Sequence, residues 1–393
     1  MSFPFDPASQ LLRKRILLAL GATGLLGLAS SALLSCGEEA PPCSQGGEAR
    51  LACYTHAQMV SKAQSGCGNE VNPNSTVASA DVSVRFLPNG CLPKALVCDG
   101  CCNPAEEDGE PQSDGSCCYY HCTGSCCGRP FLVAGQARVA ASVARPDWVD
   151  AAAESGNVCR ASSRALGVRI ANEWLTDAAM EHASVAAFAR FTLELLAFGA
   201  PSELVEDSQR AGLDEVRHAR ACYTLAARFE GVARGPGALD LTGAEPAPSL
   251  RECTRRTFSE GCIGETEAAL CAQRALDVTS DPRIRELLAQ IVEDETRHAE
   301  LAWRFVAWAL QCDPSIASAV YEAQHEALQR VSGEPVEHES RDVVSALHAA
   351  GRLTQTERAL AAQRAVLDVV LPCLAALVEP AQQSEPATLS ALV

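Results

Sequence analysis

Lysine is nearly absent from this 393-residue chain: three lysines stand beside 29 arginines, and positive charges form no run beyond Arg13-Lys14-Arg15. With a formal net charge of −17, the chain has nothing to offer a phosphate backbone, which excludes nucleic acid as a partner. It also lacks a Ser-His-Asp order, a phosphate-cradling glycine loop and a dinucleotide fingerprint, so the chemistries those motifs carry have no support. Residues 37–130 have few large apolar side chains and show no sustained helical periodicity. A substantial helical core is excluded there.

The first 35 residues read as an export signal rather than as structure. Arg13-Lys14-Arg15 supplies a positive start, and Ile16 to Leu34 is an apolar run rich in Gly and Ala. The run ends in Leu33-Leu34-Ser35-Cys36-Gly37. That ending resembles the cleavage box of bacterial lipoprotein signals, with Cys36 as the lipid-bearing first mature residue. The same run is close to membrane-spanning length, so an uncleaved N-terminal anchor is the alternative. On either reading the body of the protein lies in the cell envelope, on the periplasmic side or the cell surface, and is tied to a membrane.

Two near-copies organise the remainder: Asp214-Glu215-Val216-Arg217-His218 and Asp294-Glu295-Thr296-Arg297-His298. In each, Glu and His stand three residues apart, which puts both on one face of a helix. Over 284–309 the stripe Ile284, Leu288, Ile291, Glu295, His298, Ala302, Phe305, Ala309 is apolar except for Glu295 and His298. Glu215 and His218 interrupt a similar stripe over 204–225. Two further stripes carry one polar member each: Glu181 over 166–198 and Glu265 over 250–277. Glu267 falls off the second of these faces. The predicted helices run from about 167 to 198, 202 to 229, 250 to 278 and 282 to 311, with Pro201 and Ser280-Asp281-Pro282 marking starts. The Gly- and Pro-rich stretch 231–249 forms the long connection between the second and third.

In chain order the inward polar set is Glu, Glu-x-x-His, Glu, Glu-x-x-His. That constellation resembles the ferritin-like di-iron carboxylate proteins of the rubrerythrin and di-iron oxidase kind. The resemblance covers residues 166–312 and implies a mainly α fold: a ferritin-like four-helix bundle with one crossover, so that its second and third helices run parallel. It implies Glu181, Glu215, His218, Glu265, Glu295 and His298 as ligands to two iron ions, with manganese or zinc as substitutes the donor set also suits. Four buried carboxylates without compensation would cost several kcal/mol each, and two divalent cations would balance them. Asp214, Asp294, Arg217 and Arg297 are candidates to support the ligands by hydrogen bond or ion pair. Cys222 and Cys262 lie on the ligand faces at different levels and are read as small core residues. His182 sits about 100° round the helix from Glu181 and is no ligand.

The cysteine-rich part, taken as residues 36–146, holds twelve of the chain's twenty cysteines between Cys43 and Cys127. Outside the cytoplasm that density reads as a disulfide framework. A rubredoxin-like centre, which some relatives of the bundle carry, needs two Cys-x-x-Cys pairs, and only Cys98 to Cys101 has that spacing. Residues 147–165 read as a linker and 313–393 as a helical extension, with helices near 314–332 and 354–378. The expected function is an envelope oxidoreductase reacting with oxygen or peroxide and drawing on an electron donor the sequence does not name. Iron binding or oxidation for handling in the envelope is the alternative, and a structural metal bundle with a partner-binding cysteine-rich domain is the third.

Overall fold

Caps fix the frame of the long helices. The computed structural model describes residues 6–22, 49–54, 89, 91, 110–112, 116–122, 129–133, 136–150, 164–331 and 339–378. Among them, helix α1 is Pro7–Ala22, α2 is Arg164–Ala197 and α3 is Ser202–Glu230. Helix α4 begins as Leu250–Thr257, passes through a π-helical turn at Phe258–Ile263 and continues as Gly264–Val278. Helix α5 is Pro282–Cys312. The Ser249 hydroxyl accepts from the Glu252 amide to start α4, and the Asp281 carboxylate accepts from Arg283 and Ile284 to start α5 behind Pro282. Gly231, at φ +78°, closes α3 in the left-handed region where only glycine is unstrained.

The direction of packing follows from the side-chain pairs. Asp207, Asp214 and His218 on α3 meet Arg304, His298 and Asp294 on α5, so partners descend one helix as they climb the other. These two helices are antiparallel. A three-residue turn joins α4 to α5, which sets that pair antiparallel as well and leaves α3 and α4 parallel, as expected for one long connection. The core between them is aromatic: Phe191 meets Phe305 edge-on at 5.0 Å, and Phe258 meets Trp303 at 5.7 Å. Each such ring, fully removed from water, contributes about 1.5–3 kcal/mol.

The described residues after 312 pack on these helices. Helix α6 (Ala317–Arg330) lies on α4, where Arg251 reaches Ser318 and Glu322. Helix α7 (Arg341–Ala349), between the two helices expected of the extension, is a nine-residue helix capped by Ser340. Helix α8 starts with a reciprocal cap between Thr354 and Glu357, runs as Gln355–Arg364, takes a π-helical turn at Ala365–Val370 and ends as Leu371–Val378. Its stretch Gln355–Val378 is long and apolar enough to cross a membrane, but Val366, Val369, Val370, Cys373 and Leu374 are buried in this protein's own core.

Within the segment expected to be an export signal, Pro7–Ala22 is helix α1, laid against α5 and α8. Leu12, Ile16 and Leu20 are buried, and Arg15 reaches Glu293 and Glu300 at 2.7 Å each. Cys36 lies outside the described residues. In the cysteine-rich part, β1 (Ala49–Tyr54) and β2 (Glu110–Pro111) pair antiparallel on either side of β3 (Cys117–Cys122). Cys91 and Cys117 form a disulfide; the side chains of the other ten cysteines of 37–130 lie outside the described residues. Further on, β4 (Leu132–Val133) pairs with β5 (Gln136–Ala137), and β6 (Ser142–Ala144) pairs with β7 (Arg234–Pro236) inside the long connection. Phe131 and Val133 pack on Ala183 and Ala187 of α2. Residues 129–133 and 136–146 thus lie along the helices, although they precede the expected linker.

Helix α4 packs tightly on α5 at Gly261, in the π turn: a Cβ there would stand 2.5 Å from the Cβ of Ala302. Alanine is worth up to about 1 kcal/mol more than glycine in a helix, whereas forced overpacking costs about 1–3 kcal/mol. Gly261→Ala should therefore lower stability in thermal or urea unfolding, and Ala302→Gly in the same chain should recover part of the loss.

Candidate metal centre

Four helices each send acid into one volume. Glu181 comes from α2, Glu215 and His218 from α3, Glu265 from α4 just past its π turn, and Glu295 and His298 from α5. Apolar residues one turn away on every stripe are what turn these groups inward: Trp174 and Ala178 before Glu181, Ala211 and Cys222 around the α3 pair, Phe258 and Cys262 before Glu265, Ile291 and Ala302 around the α5 pair. Their ligand atoms form two groups, each within 4.8 Å: Glu181, Glu215, His218, Glu295 and Glu215, Glu265, Glu295, His298. Glu215 and Glu295 belong to both. All six residues singled out by sequence are in this set.

The unfilled valences of the cluster all point at its centre. Buried atoms without a hydrogen-bond partner include Glu181 Oε2, both oxygens of Glu215 and of Glu265, Glu295 Oε2, and Nδ1 of His218 and His298. His218 Nδ1 stands 3.2 Å from Glu295 Oε1 and 3.6 Å from Glu181 Oε2; His298 Nδ1 stands 3.1 Å from Glu215 Oε1. These are ion-pair distances, not well-formed hydrogen bonds. Leaving one buried polar atom unpaired costs about 1–3 kcal/mol, so a set of eight is a standing demand for a cation.

The opposite ring nitrogens are held. His218 Nε2 donates to Asp294 Oδ2 at 3.1 Å, and His298 Nε2 donates to Asp214 Oδ2 at 3.3 Å. Each aspartate therefore serves the histidine of the other helix, a crossing the sequence alone did not reveal. Arg217 pairs with Asp214, and Arg297 pairs with both Asp294 and Asp214. A proton fixed on Nε2 leaves Nδ1 as the lone-pair side, which faces the carboxylates. That is the orientation a histidine ligand takes when a carboxylate supports it.

Electrostatics of the metal-free cluster agree. Burial, then the Glu215 carboxylate, raises Glu181 well above the usual carboxylate range; burial, then Glu295, does the same to Glu265. Burial opposes charge on the two histidines, yet the carboxylates around each outweigh it and hold both well above their ordinary value. Asp294 is held down at about 2: burial works against its charge, and the His218, Gln290 and Arg297 contacts overcome it. Without metal, protons occupy the places of cations.

Other candidates fall outside the cluster. His182 lies edge-on to Trp148 at 5.4 Å. Cys222 and Cys262 are buried free thiols. Glu267, off the ligand face, is buried as well. His348 pairs with Glu357 at 2.9 Å and His325 contacts Gln329; His338 lies outside the described residues.

A second buried charge group went unread. Glu260, in the π turn, faces Arg129 at 3.6 Å and Arg190 at 3.3 Å. The Arg129 guanidinium sits over the rings of Phe188 and Phe191, 4.7 Å from each, and the Phe188 ring meets His298 edge-on at 5.1 Å. Arg129 enters from outside the helices, so no helical stripe could have announced it.

Two outcomes are expected. Asp214→Asn or Asp294→Asn should lower metal affinity about 10–100-fold, and Glu215→Ala or Glu295→Ala should lower metal content outright, while Glu267→Gln leaves metal content alone. Because Glu181, Glu265, His218 and His298 hold protons more tightly than usual, metal uptake should release protons and tighten as the pH rises. An indicator dye in weak buffer during zinc titration reads this directly; uptake without proton release contradicts it. Compared with family models, with curated proteins and with solved structures, the chain matches none.

Proposed function

We propose that residues 166–312 are a ferritin-like four-helix bundle holding two metal ions, and that the protein is an envelope oxidoreductase acting on dioxygen or peroxide. The observation that carries this reading is the set of eight buried, unpartnered donor atoms converging from four helices. Four carboxylates call for about four positive charges, which two divalent ions supply. Oxygen and imidazole donors suit iron, with manganese and zinc as competitors. When bound, an iron pair supplies electrons to an oxygen-containing oxidant.

The chain's own part is positional. Glu215 and Glu295, common to both groups, are the residues that would span the two ions. Glu181 with His218, and Glu265 with His298, would complete one position each. Asp214 and Asp294 hold the two rings so that neither can turn its Nδ1 away. Burial keeps water from competing for the carboxylates. No positioning group has to move on binding, since all six ligands sit on helices packed against one another.

Iron loading of the purified chain tests the function. The reduced protein should consume oxygen or hydrogen peroxide and develop near-ultraviolet charge-transfer absorption. A tightly held zinc pair, and no consumption of either oxidant after iron reconstitution, points to the structural reading; release of oxidised iron to solution points to iron handling.

The export and anchoring proposal rests on Arg13-Lys14-Arg15, the apolar run and Leu33 to Gly37. Cys36→Ser should then abolish acylation and shift the protein out of the detergent phase. The docking of α1 favours a second reading of the same residues, in which the helix is retained as a cover over α5 and α8. Leu12, Ile16 and Leu20 cannot line that groove and also be removed. The mass of the membrane-extracted protein decides: an N-terminus at lipidated Cys36 supports cleavage, and an intact residue 1–22 segment supports retention.

A further inference from the structure

The two ends of the centre differ. Glu181 belongs to the first ligand group alone and Glu265 to the second alone. Behind Glu265 the protein is closed. That residue is fully buried, Phe188 seals the His298 side, and Arg129 fills the gap between Phe188 and Phe191 against Glu260. Beside Glu181 there is instead a cavity of about 60 Å³, with Glu181 and Glu295 on its wall. That is room for about four water molecules. The unpartnered Glu181 Oε2 is the buried acceptor on this side.

The outer side of the cavity is a turn of the C-terminal extension, Gly351-Arg352-Leu353, and the turn is fixed in place. Trp174 Nε1 donates to Ala350 O at 3.2 Å, just before it. Arg352 pairs with Asp177 at 2.5 Å and Glu173 at 3.2 Å while lying over the Trp174 ring at 4.3 Å. Gly351 has φ +69°, and a Cβ there would stand 2.4 Å from Ile284 Cγ2. Nothing larger than glycine fits, so the turn can neither shift inward nor be replaced freely.

We infer that this cavity is the ligand pocket of the centre: a small exogenous ligand, of up to about four heavy atoms, binds at the Glu181 position only, and the Glu265 position stays closed. The inference rests on the metal reading above. It makes the 350–353 turn a size filter, admitting molecules of the size of dioxygen, peroxide or azide and excluding any ring-sized substrate. Ala272 of α4 and Leu353 of the turn both line it.

The cobalt(II)-loaded full chain, titrated with azide and followed by its visible spectrum, tests this. Two cobalt ions and one azide per chain are expected. Ala272→Phe should keep two cobalt ions and weaken azide binding at least tenfold. Leu353→Ala, which widens the same space, should speed azide binding several-fold at unchanged cobalt content, and it remains informative where Ala272→Phe does not fold. Two azides per chain, or azide binding indifferent to both substitutions, would overturn the pocket assignment while leaving the metal centre standing. A chain that takes up no cobalt overturns the metal reading and the pocket with it.

Discussion

The constraint from which the rest of this structure follows is electrostatic: four carboxylates share a volume largely withdrawn from water. Like charges in such a place repel strongly, and each pays for lost hydration. The fold meets the problem on two shells. Nearest the cluster, imidazoles and bound protons stand in for cations. One step out, Asp214 and Asp294 are themselves neutralised by Arg217 and Arg297 at the protein surface. Charge alternates outward from acid to imidazole to acid to guanidinium, and no layer is left uncompensated toward the next.

That alternation is built on the antiparallel pairing of α3 and α5. Because Asp and His are four residues apart in both motifs, antiparallel helices bring each Asp opposite the partner helix's His. Parallel helices would set Asp beside Asp. The repeated Asp-Glu-x-Arg-His string is thus a statement about helix direction as well as about ligands.

Sequence reading reached what a single helix can announce. A polar residue interrupting an apolar stripe is visible at spacings of three and four, so Glu181, Glu215, His218, Glu265, Glu295 and His298 could be named, and the caps at Asp281 and Pro201 placed the long helices to within a few residues. It missed what depends on contacts distant in the chain. The crossing of Asp214 and Asp294 needs the register between helices. The Glu260 group needs Arg129, some 130 residues earlier. The π turns at 258–263 and 365–370 leave no mark in composition, and α7 is too short to show a period. Glu267 was placed off the ligand face, yet it is buried all the same.

Arg129 sets where the helical body can be cut from the rest. The composition shift suggests a boundary near residue 147, but Phe131, Val133 and the strand at 142–144 are already part of the packed body. A fragment starting at 147 would leave Glu260 facing only Arg190, open the gap between Phe188 and Phe191, and strip the partner strand from 234–236. The smallest excisable unit therefore begins before Arg129, inside what composition marks as the cysteine-rich part.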